Sequence, residues 1–259
     1  MAKTLLGVVH LPALPSAPSH RDMATVLERS LADARALRDG GVDGVVVENF
    51  GDAPFHKGTP DDRVPPDVPA ALALVAHLVR TETRLPVAVN CLRNDGLAAM
   101  AAATVAGASW IRVNVWCGVY ATDQGLVEGE AARVLAYRKQ LGSKVRVLAD
   151  LLVKHARPLA APDPADAARD LAQRSGADGL ILTGKATGAP VDVALLDTVR
   201  AAVGSFPVWI GSGLTPQNAS ELWPRCDGAI VGTSLKRDGN VHEPVDPDRV
   251  RQLRRVCRG

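Results

Sequence analysis

The sequence predicts a single (β/α)8 barrel domain that spans residues 1–259. Three observations support this fold class. Short apolar runs alternate eight times with stretches of helical periodicity, a pattern typical of parallel sheets with right-handed crossovers. The length suits one such barrel, which commonly uses about 250 residues. No GxGxxG motif follows the first run, which disfavours the alternative of a doubly wound open sheet.

The eight apolar runs are the predicted strands, and four of them share one pattern. A small or turn-forming residue precedes a short β-rich stretch that ends in polar residues or glycine. Strands buried on both faces in a parallel sheet are expected to read this way. In chain order the runs are Leu5–Leu11, GVDGVVVEN from Gly41, Val87–Asn90, GASWIRVN from Gly107, Val145–Leu151, GADGLILTG from Gly176, Val208–Gly213 and CDGAIVGTS from Cys226.

Several predicted helices begin at a recognisable capping signal. Asp22 precedes apolar residues at a spacing of three and four, from Met23 onwards, which places them on one helix face. Three further starts combine a capping side chain with proline at the first helical position, namely Asp163-Pro164, Thr215-Pro216 and Asp246-Pro247.

Composition narrows the classes of partner. Apolar residues make up 47% of the chain, enough for a sizeable core, and the formal charge of +2 gives no argument for nucleic acid or an anionic membrane. The basic residues of RVRQLRRVCRG fit the solvated face of a terminal helix. Neither a signal peptide nor a membrane span is visible, and four scattered cysteines suit reduced thiols. We therefore expect a cytoplasmic protein, with a homo-oligomer left open.

Polar residues end almost every predicted strand, at the edge where barrels of this kind carry their sites. Because side chains two residues apart share a face, Leu6, Val8 and His10 lie together, as do Val46 with Glu48 and Leu148 with Asp150. A simple capping role would explain about half of these residues, but not the whole ring. Its members are His10, Glu48, Asn49, Asn90, Asn114, Asp150, Lys154, His155, Thr183, Lys185, Ser212, Thr233 and Ser234.

The candidate catalytic residues are the ionisable members of this ring. Glu48 and Asp150 each end an apolar strand, where a buried charge is costly unless it is paired or used. With His10, Lys154 and His155 nearby, the two carboxylates are suited to acid–base chemistry. No cofactor is predicted. A divalent metal at Glu48 and Asp150 stays open, although no dedicated ligand spacing supports it.

The last two strands carry a phosphate-binding signature. They end in GSGLTPQN and GTSLK, and in many barrels the loops after strands seven and eight hold a phosphate near a short extra helix. The alternative is that the glycines form ordinary turns. A third small-residue loop, TGKATG with Lys185, follows strand six. The candidate phosphate- or ligand-binding residues are Gly211, Ser212, Gly213, Gly232, Thr233, Ser234 and Lys236, together with Asn49, Asn90, Asn114, Thr183 and Lys185 of the ring.

Two predicted loops are longer than turns require. They cover Phe50–Pro66 and Val115–Gly129 and contain glycines together with Phe55, Trp116 and Tyr120. Long loops with their own aromatic residues often form lids or subunit contacts. The sequence does not choose between the two.

These segments together resemble the BtpA/SgcQ family. The matching segments, which span nearly the whole chain, are GVVHLPALP, GVDGVVVENFGDAPF, LADLLVKHA, GADGLILTGKATG, GSGLTPQN and DGAIVGTSLKRDG. The resemblance implies a barrel of the ribulose-phosphate-binding type. Family positions carried over are Glu48, Asn49, Asp52, Asp150, Lys154, His155, Thr183, Gly184, Thr187, Gly188, Gly211, Gly213 and Lys236. One departure is Ala156, where the family is expected to have serine after the Lys-His pair.

Two functions of different classes follow. The first is an enzyme acting on a phosphorylated small molecule, of a phosphoribosyl or nucleotide-like type, by isomerase, lyase or N-glycosidase chemistry. The second, implied by the resemblance, is a non-catalytic biogenesis factor of the kind that gives the family its name, in photosystem I assembly. The ring of ionisable residues favours the enzyme, since a scaffold has no need of it.

Overall fold

A computed structural model of the chain shows a closed barrel of eight parallel strands. The structure describes residues 3–153, 155–160, 162–184 and 188–258. Around the barrel the strand order is β1-β2-β3-β4-β7-β9-β10-β11, with β11 closing on β1. The barrel strands are β1 (Thr4–His10), β2 (Gly44–Glu48), β3 (Val87–Asn90), β4 (Trp110–Val113), β7 (Arg146–Leu151), β9 (Gly179–Leu182), β10 (Val208–Ile210) and β11 (Gly228–Val231). The predicted fold class is confirmed.

Helices follow the strands and form the outer layer. They are α1 (Met23–Gly40), α2 (Asp67–Thr83), α3 (Gly96–Ala106), α4 (Ala131–Gln140), α5 (Pro164–Arg174), α6 (Val193–Val203), α7 (Ala219–Leu222) and α8 (Pro247–Arg258). None of the helices in the described ranges is long and apolar enough to cross a membrane.

The predicted helix starts hold at three of four positions. The side chains of Asp22 and Asp163 accept hydrogen bonds from backbone N–H groups in the first turns of α1 and α5, and α8 starts at Pro247. The prediction at Thr215-Pro216 is wrong, because α7 begins only at Ala219. There Asn218 closes a separate turn, accepting from the Thr215 N–H and donating to the Gly213 carbonyl.

The core has two parts. The larger part packs the outward faces of the strands against the helices, with Leu5, Val9 and Leu37 among its fully buried members. The smaller part fills the barrel interior with Leu6, Val8, Val46, Ala88, Trp110, Leu148, Ile181, Trp209 and Ile230. Because the interior cluster contains Leu6, Val8, Val46 and Leu148, the inward faces assigned from strand periodicity are confirmed.

The loop after β4 forms secondary structure that the sequence did not predict. It folds into a hairpin of β5 (Val119–Thr122) and β6 (Gly125–Glu128), and β5 also pairs with β8 (Ala156–Pro158) from the loop after β7. A small separate cluster of Val115, Tyr120, Val127 and Val153 stabilises this three-stranded sheet. The two loops are therefore joined at the carboxyl end of the barrel.

The loop after β2 is fixed by one arginine. Arg63 contacts Asp95 at the start of α3, at 3.1 Å, and Glu130 at the start of α4, at 2.6 Å. It also donates to the Gly58 carbonyl within its own loop. Since these contacts link the loop to two helices, they fix the part of the loop around Arg63 beside the starts of α3 and α4.

Candidate active site at the carboxyl end of the barrel

Two ionisable side chains meet where β1 and β2 end. His10 and Glu48 are direct neighbours in the strand register, and the His10 Nε2 lies 3.9 Å from the Glu48 Oε1. Their side chains are 11% and 10% exposed. This pair is buried on most sides yet open to the cavity at the barrel mouth, so it can exchange protons with a bound molecule.

Asp150 lies at the corresponding position of β7, but its carboxylate is already bonded. Arg112 donates through Nε to Oδ1 and through a terminal nitrogen to Oδ2, both at 2.9 Å. The Asn114 amide also donates to Oδ2, at 3.1 Å. The Asp150 side chain has no exposed surface. Such a bidentate pair fixes both groups in place.

The sequence analysis did not identify Arg112, although it lies within the quoted GASWIRVN run. An arginine at an inward position of a buried strand is the signal that could have found it. Burial lowers the pKa of its guanidinium, but the Asp150 carboxylate and then Glu48 more than offset this, and the net pKa is raised. Arg112 therefore stays cationic beside the cavity.

Arg93 is a second buried cation that the sequence analysis did not identify. It follows β3 and is only 7% exposed. Burial lowers the pKa of its guanidinium, while the field of Asp150 acts in the opposite direction. Two buried arginines thus lie in the field of Glu48 and Asp150, and of these two Arg112 is the one that lines the mouth cavity.

A cavity of about 260 Å³ opens between the His10–Glu48 pair and the loops after β10 and β11. Two glycines make this space. A Cβ on Gly232 would lie 2.7 Å from the His10 ring, and one on Gly211 would lie 2.8 Å from Thr183 and 3.3 Å from Arg112. The predicted phosphate-loop glycines therefore leave room for inward side chains.

The loops after β10 and β11 form the opposite wall of the cavity. Gly213 has a φ of +74°, and a Cβ there would collide with the Ala189 carbonyl at 2.0 Å. The Ser234 hydroxyl donates to the Leu214 carbonyl at 2.7 Å, which joins the two loops. Gly213, Thr233 and Ser234 all line the cavity.

Arg249, from the first turn of α8, supplies the positive charge at this wall. Its Nε donates to the Ser234 carbonyl at 2.9 Å, and the side chain lines the cavity. Lys236, the residue predicted to supply this charge, is only 2% exposed, pairs through its amine with Asp33 and is not among the described residues lining this cavity. Its role as a phosphate ligand stays a prediction.

Two buried hydroxyls remain unsatisfied at the mouth. Among the described residues, the Thr183 and Ser212 hydroxyl oxygens have no hydrogen-bond partner, and each residue is only 8% exposed. The Asn90 amide oxygen is in the same state, while its nitrogen donates to the Arg112 carbonyl and to Asn114. Unpaired buried polar groups are costly, and Ser212, which lines the mouth cavity, indicates a place for a polar ligand there.

Other members of the predicted ring lie elsewhere. The Asn49 amide joins the loops after β2 and β3, accepting from the Leu92 N–H at 2.7 Å and donating to Asp52 at 2.9 Å. His155 is exposed on the way to β8 and is not among the described residues lining the cavity. Lys154, Lys185 and the family position Thr187 lie outside the described residues.

Within the part of the chain that the structure describes, metal-binding side chains do not gather in groups of three at the mouth. Across the described ranges, no group of three or more His, Cys, Asp or Glu side chains could hold a metal ion. The divalent site considered at Glu48 and Asp150 is disfavoured by the geometry, since the Asp150 oxygens already accept from Arg112 and Asn114.

The fold and the mouth cavity together define a (β/α)8 barrel with a polar cavity at the carboxyl ends of its strands. Comparison with known proteins identifies the family of the chain. The family model described as the BtpA family matches residues 1–258. The chain belongs to the BtpA family, which confirms the resemblance found in the sequence.

Two relatives illustrate the range of the family. The chain is 48% identical to the photosystem I biogenesis protein BtpA of Synechocystis sp., covering 95% of this chain and 85% of the relative. It is 31% identical to a protein of Caenorhabditis elegans named as mitochondrial, with 95% and 90% of the chains covered.

Solved structures are similar in fold. Thiamine phosphate pyrophosphorylase of Pyrococcus furiosus matches with a TM-score of 0.60 at 13% identity, covering 98% of this chain and 95% of that one. N-(5'-phosphoribosyl)anthranilate isomerase of the same organism matches with a TM-score of 0.59 at 15% identity, covering 99% and 98%. At such low identity the likeness shows the barrel fold alone.

Proposed function

We propose that this protein is an enzyme that acts on a phosphorylated small molecule in the cavity at the barrel mouth. The observation that carries the proposal is the pairing of two walls across about 260 Å³. One wall presents His10 and Glu48, and the other presents two glycine-containing loops beside Arg249. Proton-transfer groups thus face a place where an anion is stabilised.

The phosphate is assigned to the loops after β10 and β11. Backbone N–H groups of Gly213, Thr233 and Ser234 would donate to its oxygens, and Arg249 would balance its charge. The unpaired Ser212 hydroxyl adjoins this site. The names of the two structural neighbours, which refer to thiamine phosphate and to a phosphoribosyl compound, agree with this assignment.

The acid–base role is assigned to Glu48, with His10 as its partner. Glu48 faces the cavity, whereas Asp150 is held by Arg112 and Asn114. Asp150 is therefore a positioning residue for Arg112, whose guanidinium faces the cavity and would stabilise negative charge that develops on the substrate. Isomerase, lyase and N-glycosidase reactions all use a proton transfer of this kind.

A screen for thermal stabilisation by phosphosugars and nucleotides would identify a ligand, because a ligand at 100 times its Kd adds about 2.7 kcal/mol of stability. Turnover of the ligand found is then compared in wild type and Glu48→Gln. We expect the variant to bind the ligand but to lose about 10²–10⁴-fold in kcat. Full turnover by Glu48→Gln would contradict the assignment.

A second candidate is a non-catalytic biogenesis factor, favoured by the 48% identity to the Synechocystis protein. Photosystem assembly cannot be the function of the whole family, because a 31% identical relative occurs in a nematode, an animal without photosystems. The screen separates the two candidates. If no phosphorylated metabolite stabilises the wild-type protein, the biogenesis function is favoured.

A further inference from the structure

A second cavity, of about 490 Å³, adjoins the first. His10 contributes to the walls of both. The second cavity is also lined by Phe50, His242, Arg29 and Glu243. Its volume lies within the range of small-molecule sites, about 300–1,000 Å³. A molecule that extends past His10 would therefore occupy both cavities.

Three rings lie in a row along the wall of the second cavity, starting from His10, which both cavities share. The centroids of His10 and Phe50 lie 4.8 Å apart with an interplanar angle of 59°, and those of Phe50 and His242 lie 6.3 Å apart at 53°. Aromatic rings at such separations offer faces and edges to a further planar ring. This row of three rings is called the ring wall below.

The loop that brings His242 to the ring wall is fixed by polar contacts to α1. Asp33 of α1 pairs with the Lys236 amine and accepts from the Val245 N–H at 2.8 Å, which ties down both ends of the loop. Arg29, one turn earlier on α1, donates to the His242 carbonyl at 3.3 Å. The ring wall is therefore a preorganised part of the fold.

We propose that the second cavity binds a planar nitrogen heterocycle attached to the phosphorylated sugar. This inference rests on the proposed function. With the phosphate at the loops after β10 and β11, the sugar would lie at His10 and Glu48 and the heterocycle against Phe50. Arg29 and Glu243 at the rim supply a donor and an acceptor for its polar edge. Arg29 already donates to the His242 carbonyl, and at the rim both side chains can also bond the polar edge of a heterocycle, which a plain hydrocarbon ring lacks.

The placement deepens the functional proposal, because it puts the bond between sugar and heterocycle next to the proton-transfer pair. Glu48 or His10 would then deliver a proton to, or take one from, the atoms of that junction. The substrate class inferred is a nucleotide-like phosphoribosyl compound.

Calorimetric titration tests this inference with ribose 5-phosphate and adenosine 5'-monophosphate as probes. We expect wild type to bind the nucleotide at least about tenfold more tightly, as ring stacking contributes to this extent. Phe50→Leu keeps an apolar side chain but removes the ring. It should abolish the tenfold preference while the Kd for ribose 5-phosphate changes less than twofold. His242→Gln, at an exposed position, should reduce the preference without affecting folding.

The outcomes separate this inference from the proposed function. If ribose 5-phosphate binds but the nucleotide binds no better, the heterocycle site is wrong and the phosphate site stands. If the preference persists in both variants, the ring wall does not create it and the inference is overturned. If neither probe binds wild type, both proposals fall.

Discussion

Glu48 and Asp150 occupy equivalent positions, at the inward carboxyl ends of β2 and β7, yet their surroundings differ. Asp150 has no exposed side-chain surface and accepts three hydrogen bonds from Arg112 and Asn114. Glu48 lines an open cavity opposite two glycine loops. Position on a barrel strand therefore brings a carboxylate to the mouth, but its partners decide whether it is a structural anchor or a reactive group.

The largest expected effect tests the structural role of Asp150. Asp150→Asn leaves the buried Arg112 without its counter-charge, and removing one partner of a buried ion pair costs about 3–5 kcal/mol. Urea denaturation should show a loss of unfolding free energy of this size. The matched control is Asp170→Asn, whose pair with Arg174 is 70% and 80% exposed and should matter by less than about 1 kcal/mol. Equal effects of the two variants would contradict the anchoring role.

A second prediction concerns the space that Gly232 leaves for the His10 ring. Gly232→Ala would place a Cβ 2.7 Å from the His10 ring, and such overpacking costs about 1–3 kcal/mol. The loss should be measurable by thermal or urea unfolding. In a His10→Ala background the same substitution should cost much less, because the ring is gone. Additive effects of the two substitutions would show that the contact is not the cause.

The third prediction separates stability from ligand binding at Lys236. Because its amine pairs with Asp33 and the residue lines the second cavity rather than the mouth cavity, Lys236→Met should lower the unfolding free energy by about 1–3 kcal/mol. Its effect on ribose 5-phosphate affinity should remain below about threefold, which is about half of the 1.4 kcal/mol that a tenfold change represents. A tenfold loss of affinity would mean that the lysine belongs to the phosphate site after all.

The smallest expected effect tests whether Glu48 is a reactive group rather than a structural anchor. Glu48→Gln should leave the unfolding free energy unchanged within about 1 kcal/mol or raise it, since residues kept for activity often contribute little to stability. Urea denaturation beside Asp150→Asn gives the direct comparison. A loss as large as that of Asp150→Asn would assign Glu48 an anchoring role as well.

The strand-level features of this molecule could be predicted from the sequence. Residue periodicity placed His10, Glu48 and Asp150 on the inward faces, and the interior cluster confirms those faces. The alternation of apolar runs and helical segments predicted the closed barrel, because this local pattern along the chain determines a parallel sheet. The conformation of the loops at its mouth depends on long-range contacts, which the local sequence pattern does not predict.

Partner choice was the part that local pattern could not predict. Arg112 binds Asp150 from a strand 38 residues away, and Lys236 binds Asp33 from 203 residues away. Arg249 reaches the cavity from the last helix, whose basic residues were predicted to form a solvated face. Long side chains can turn to either side of an element, so their sequence position fixes neither the partner nor the cavity.

The central claim is that the loops after β10 and β11 hold a phosphate, and calorimetric titration tests it most directly. Wild type should bind ribose 5-phosphate at least about 100-fold more tightly than ribose, as hydrogen bonds to a charged group contribute about 1.5–3 kcal/mol each. Arg249→Met should weaken the binding of ribose 5-phosphate about tenfold and leave that of ribose unchanged. Equal affinity for the two sugars, or no effect of Arg249→Met, would contradict a phosphate site in this cavity.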